Sequence, residues 1–182
     1  MNNIIIEDKV MGKLSYEPEV WRKIELIKYI INNTPYKIGL EIDIFNGEVT
    51  EFELGINDWQ EDDFEEEELE KHEEYKKEVV FLYKKYICNF ESTIQMIGEI
   101  LEKDFRENMK DMSNDDIFKL IGKTGCNDIS NDIWNLVSLD KITMMKNRVR
   151  IIGKSKWYLN DEFGINLLKD GSYSIGNLDT IY

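Results

Sequence analysis

Apolar and polar positions repeat in two distinct rhythms along this chain, and the rhythms divide it into three regions. From Tyr36 to Phe45 the alternation is strict: Ile38, Leu40, Ile42 and Ile44 fall on one side, Lys37, Glu41 and Asp43 on the other. A period of two puts successive side chains on opposite faces of a strand, so this run predicts a half-buried strand that Asn46-Gly47 ends. Trp21 to Ile31 fits a helical stripe (Trp21, Ile24, Ile27, Ile31) as well as partial alternation. We read 21–30 as the antiparallel neighbour of the strand that follows. Val10 to Ser15 is a shorter strand candidate broken by Gly12, Pro18 disfavours helix just after it, and Val49 to Ile56 is a candidate edge strand.

The rhythm changes at Val79. Leu82, Tyr86, Phe90, Ile94, Ile97, Leu101 and Phe105 recur at intervals of three and four. This is the apolar stripe of one long helix, or of two helices meeting near Asn89, with Gly98 weakening it slightly. Ser113 followed by Asp115 and Asp116 is an N-cap with acids in the first turn, opening a short helix that Gly122 or Gly125 closes. Leu136–Met144 and Arg148–Trp157 then read as strands. Ile165, Leu167 and Leu168, then Asp170-Gly171, then Tyr173 and Ile175 predict a terminal β-hairpin with a two-residue turn. Strands, helices and strands again predict an α+β domain spanning 1–182. Its largely antiparallel sheet, built from N- and C-terminal strands, is covered on one face by the central helices.

Charge changes this picture at one place. The 182 residues carry a net charge of −14, and residues 51–78 hold 14 acidic and 3 basic side chains, a net −11. Asp62 to Lys77 has high helix propensity but few apolar residues, so an acidic helical segment is expected at about 57–78. A solvated helix face is the plain explanation. Against it, seven acids between Glu61 and Glu68 repel one another, and Trp59 and Phe64 lie inside the run like binding anchors. Asp58, Trp59, Glu61, Asp62, Asp63, Phe64, Glu65, Glu66, Glu67 and Glu68 are therefore the candidate partner-binding residues. A basic protein suits such a surface; nucleic acid and anionic membrane do not. Cys88 and Cys126 form no Cys-x-x-Cys pair, and no secretory leader or spanning apolar run is visible, which points to a reduced, cytoplasmic setting.

Motifs for chemistry are incomplete. Gly122-Lys123-Thr124 ends like a phosphate-binding loop, but Ile117 stands where its first glycine belongs. Asp128-x-Ser130-x-Asp132 has calcium-loop spacing, but Ile133 replaces the turn glycine and Leu139 the bidentate glutamate. His72, the single histidine, is flanked by charge, with neither a triad nor a zinc ligand set around it. No catalytic residue, metal or cofactor is assigned. Asp161-Glu162 could pair as acid and base, or simply begin a strand near Lys156 or Arg150. Trp157 reads as core more readily than as a ligand platform. These three are secondary candidates.

Trp157-x-x-Asn160-Asp161-Glu162-Phe163-Gly164-Ile165, then Lys169-Asp170-Gly171 and Ile175-Gly176, resembles the terminal signature of a family of uncharacterised bacterial domains. That signature reads Trp-Asp-x-Glu-His-Gly, then a strand, a turn and Val/Ile-Gly. The stretch bearing Tyr86, Asn89 and Phe105 resembles the helix preceding it, so the likeness spans about the last hundred residues, loosely. Phe163 stands where the family carries histidine, so any chemistry of that histidine is not available here. Related small acidic proteins occur among toxin-immunity proteins. The family has no assigned activity, so the resemblance bears on the fold more than on the function. The acidic segment makes the leading expectation a non-enzymatic, immunity- or inhibitor-type module that neutralises a basic partner such as a nuclease toxin. Alternatives are a metal-dependent or carboxylate-based hydrolase and a structural or regulatory domain.

Overall fold

The computed structural model describes residues 5–17, 20–43, 77–122, 133–158, 162–179 and 181. Its frame is one eight-stranded sheet whose strands lie in chain order: β1 (Ile5–Asp8), β2 (Gly12–Glu17), β3 (Val20–Ile31), β4 (Thr34–Asp43), β5 (Val137–Met145), β6 (Arg148–Ser155), β7 (Glu162–Leu168) and β8 (Tyr173–Asn177). Every neighbouring pair is antiparallel except β4 and β5, where Gly39–Ile42 runs parallel to Lys141–Met144. Two four-stranded meanders thus meet at a parallel seam. A parallel pair cannot be closed by a hairpin, because the end of one strand and the start of the next lie at opposite ends of the pair. Among the described residues, the crossover from β4 to β5 carries the helices.

Residues 77–82 are helical (α1) and run into a π-turn at Tyr83–Ile87; α2 spans Phe90–Met109 and α3 Asn114–Ile121. The whole stripe from Leu82 to Phe105 is buried. Successive spacings of four would drift about 40° per step around an α-helix of 3.6 residues per turn. The wider π-turn, followed by a break at Asn89, returns the stripe to the same side. The Tyr86 carbonyl, at this break, accepts from the Thr93 hydroxyl at 2.6 Å. Tyr86 in turn donates its phenol to the Leu168 carbonyl at 2.6 Å, tying the helix to β7. Ser113 caps α3 by accepting from the Asp116 amide, and Gly122 ends it at φ +73°, a left-handed conformation suited to glycine.

The helices meet the face formed by Ile38, Leu40 and Ile42 of β4, Ile142 and Met144 of β5, Val149 and Ile151 of β6, and Phe163, Ile165 and Leu167 of β7. Gly98 has a packing reason: Trp134, in the 3-10 turn Ile133–Asn135, lies where a Cβ would come within 3.2 Å of its ring. Gly153 is tighter still. A Cβ there would sit 2.2 Å from the Ser138 carbonyl oxygen, beside the register shift between Leu139 and Lys141, and 2.8 Å from the Phe163 ring.

Four expectations need correction. Ile5–Asp8, ahead of the first strand expected from the alternation, is β1. Gly12 opens β2 at φ +75° rather than breaking a strand from Val10. The sixth strand ends at Ser155, before Trp157. The terminal hairpin turns on three residues, not two. Leu167 faces Tyr173, the Leu168 amide donates to Ser172 O at 2.9 Å, and Lys169, Asp170 and Gly171 form the loop. A left-handed Gly171 (φ +96°) and an Asp170 side chain accepting from the Ser172 amide close it. The expected edge strand Val49 to Ile56 and the acidic segment 57–76 lie outside the described residues.

Candidate functional site

The ten partner-binding candidates from Asp58 to Glu68 lie outside the described residues, as do His72, Asp128 to Asp132, and Asp161. Glu162 is described: it opens β7, exposed, opposite Lys154 of β6. Trp157 is half-buried, and its neighbours give it a structural task. Its indole Nε1 donates to Asp104 Oδ2 at 2.8 Å, and its ring meets Phe105 edge-on at 5.3 Å. Tyr158 donates its hydroxyl to the same oxygen at 2.9 Å and stacks on Phe163 at 6.2 Å. One carboxylate on α2 thus pins the turn after β6 to the helical layer. Burial, then the charge of Asp104 and the hydrogen bond to it, push the Tyr158 phenol well above its ordinary value. It therefore holds its proton and donates.

Asp104 and Tyr158 were not singled out from sequence. A signal for Asp104 existed: it lies three residues after Leu101 and seven after Ile97, on the margin of the apolar stripe. A carboxylate at such a position needs a buried-side partner. Phe163, where the resembled family has histidine, is fully buried between Gly153 and Tyr158.

Two open depressions mark the described surface. One, of about 480 Å³, lies along α2 between Glu99, Glu102, Lys103, Arg106 and Glu107, where Arg106 Nη2 meets Glu102 at 2.8 Å. The other, of about 530 Å³, lies at the hairpin end of the sheet beside Phe81, Asn147, Leu168, Lys169 and Asp170. Among the described residues no three His, Cys, Asp or Glu side chains gather in a metal-binding geometry, and Cys88 is a free, exposed thiol.

The face of the sheet turned away from the helices is divided. Over β6–β8 it is covered by the C-terminal residues. Ile181 is buried against Gly164, and its carbonyl accepts from Arg150 Nη2 at 3.3 Å. Arg150 Nε also donates to Asn166, whose amide reaches Ser174. Over β3 and β4 nothing among the described residues covers the face. Leu26 and Ile30 are 63% and 64% exposed, and a Cβ on Gly39 would meet nothing within 4 Å. Lys28 stands directly opposite Lys37, and Lys141 pairs with Glu41 one strand on.

No helix among the described residues is long and apolar enough to cross a membrane. Comparison of the chain with protein-family models, with curated proteins and with solved structures found no match.

Proposed function

We propose that this protein is a non-enzymatic acidic binding module of the immunity or inhibitor type, acting in the cytoplasm, whose segment 57–78 neutralises a basic protein partner such as a nuclease toxin domain. The observation that carries this reading is the concentration of charge: residues 51–78 hold a net −11 of the chain's −14. The secondary candidates supply less. The indole N–H and the ring of Trp157 are committed to Asp104 and Phe105, so the contact centres on Trp59 and the acids around it.

A clustered negative field accelerates encounter with a basic surface and is screened by salt. The test replaces Glu65, Glu66, Glu67 and Glu68 with glutamine and measures association with a basic nuclease toxin domain by stopped-flow fluorescence, at low and physiological salt. Association should slow at least about tenfold with folding intact, since steering acts mainly on the on-rate. Equal rates for the variant and the parent would make the segment a solvated face and end the proposal.

A further inference from the structure

The outer face over β3 and β4 carries charge of the opposite sign to the chain as a whole. By register, Lys28 and Lys37 share this part of the face with Lys141, which pairs with Glu41, so among the described side chains there the two opposed lysines are left in excess. Lys28 and Lys37 are directly opposed on adjacent strands, and among the described residues neither forms an ion pair. Like charges placed opposite one another destabilise a sheet, so the pair works against the fold. Two further costs lie beside it. Leu26 and Ile30, on either side of Lys28 along β3, expose large aliphatic side chains on the same face. Large exposed apolar groups rimmed by charge are the mark of a docking surface.

We infer that the outer face over β3 and β4 is a second docking surface, which takes an acidic protein segment bearing aliphatic side chains. Its carboxylates would neutralise Lys28 and Lys37 together, and its aliphatic groups would cover Leu26 and Ile30. Charge complementarity selects the occupant. A second copy placed face to face would bring lysines onto lysines. Single-stranded nucleic acid gains its sequence-tolerant affinity by stacking bases on aromatic rings, and the apolar groups exposed here are aliphatic. None of the residues of this surface belongs to the acidic segment, so the two proposals are tested by different substitutions.

The experiment titrates ¹⁵N-labelled full-length protein with a synthetic peptide of glutamate and leucine, in parallel with an oligothymidylate and an all-glutamate peptide. Amide shifts should concentrate on β3–β5 with the glutamate–leucine peptide and be weaker with the all-glutamate one. Lys28→Glu should weaken that binding at least about tenfold, the change that each ~1.4 kcal/mol of lost interaction produces. This substitution turns a repelling pair into an attracting one, so the fold is retained, and an unlowered melting temperature verifies it. Leu26→Ser should weaken binding as well, since it removes the aliphatic group without adding charge. Unaltered affinity in both variants, shifts confined elsewhere, or tighter binding of the oligothymidylate would overturn the inference. So would self-association that Leu26→Ser abolishes, since the occupant would then be a second copy.

Discussion

Removing the Asp104 carboxylate should loosen the junction between α2 and the turn after β6. Oδ2 of Asp104 accepts from both Trp157 Nε1 (2.8 Å) and Tyr158 OH (2.9 Å). Hydrogen bonds to a charged group contribute roughly 1.5–3 kcal/mol each when formed inside a protein. All three residues are half-buried, so water replaces part of what is lost, and two bonds sharing one oxygen are not additive. Asp104→Ala should therefore cost about 2–3 kcal/mol. Asp104→Asn keeps a carbonyl acceptor and loses the charge, and should cost about 1 kcal/mol by the same reasoning. Urea titration followed by tryptophan fluorescence measures both, and a double-mutant cycle with Trp157→Phe isolates the indole bond. Burial is the first cause of the raised Tyr158 phenol and Asp104 the second. In Asp104→Ala the phenol should titrate at lower pH than in the parent, yet above the ordinary value near 10. If the alanine variant stays within about 0.5 kcal/mol of the parent, the typical range of inconsequential surface changes, the pin is not a stabilising contact.

Leu101 is fully buried in the middle of the stripe, and Leu101→Ala should cost roughly 2–5 kcal/mol on denaturant titration; a loss near zero would remove the stripe from the core. Tyr29 is pushed up to about 12 by burial first, then by Tyr36 and Asp140. A folded-state value above the unfolded one near 10 stabilises the protein fully below that pH, and the contribution is lost as pH rises towards 12. About 1.4 kcal/mol should be gone by about pH 11, measured as unfolding free energy against pH, with Tyr29→Phe flattening the profile. An unchanged profile in that variant would assign the alkaline loss to other groups.

Much of the architecture was legible because periodicity is a local property. The alternation of Ile38, Leu40 and Ile42, the stripe from Leu82 to Phe105, the cap at Ser113 and the glycine stop at Gly122 all follow from preferences acting within about ten residues. A break near Asn89 was one of the two arrangements the stripe allowed, but the π-turn before it, Tyr83–Ile87, was not legible. That turn depends on where Tyr86 and Thr93 find partners once the stripe is pressed against the sheet. The hairpin was visible in Asp170-Gly171, but its loop length was set by the pairing of Leu167 with Tyr173.

The candidate sites were legible only in part. Sequence by itself determined that charge is concentrated in residues 51–78 and that the chain alternates strands, helices and strands. Tertiary structure alone decided that Gly39 and Lys141 lie side by side in a parallel seam. It also decided that one oxygen of Asp104 binds two aromatic side chains from a turn some fifty residues on. It decided, too, that Lys28 and Lys37 face one another beside exposed Leu26 and Ile30. Such placements join residues that are remote in the chain, or reflect which face the helices cover. Local preferences constrain neither, because both follow from how the hydrophobic faces of separate elements find one another.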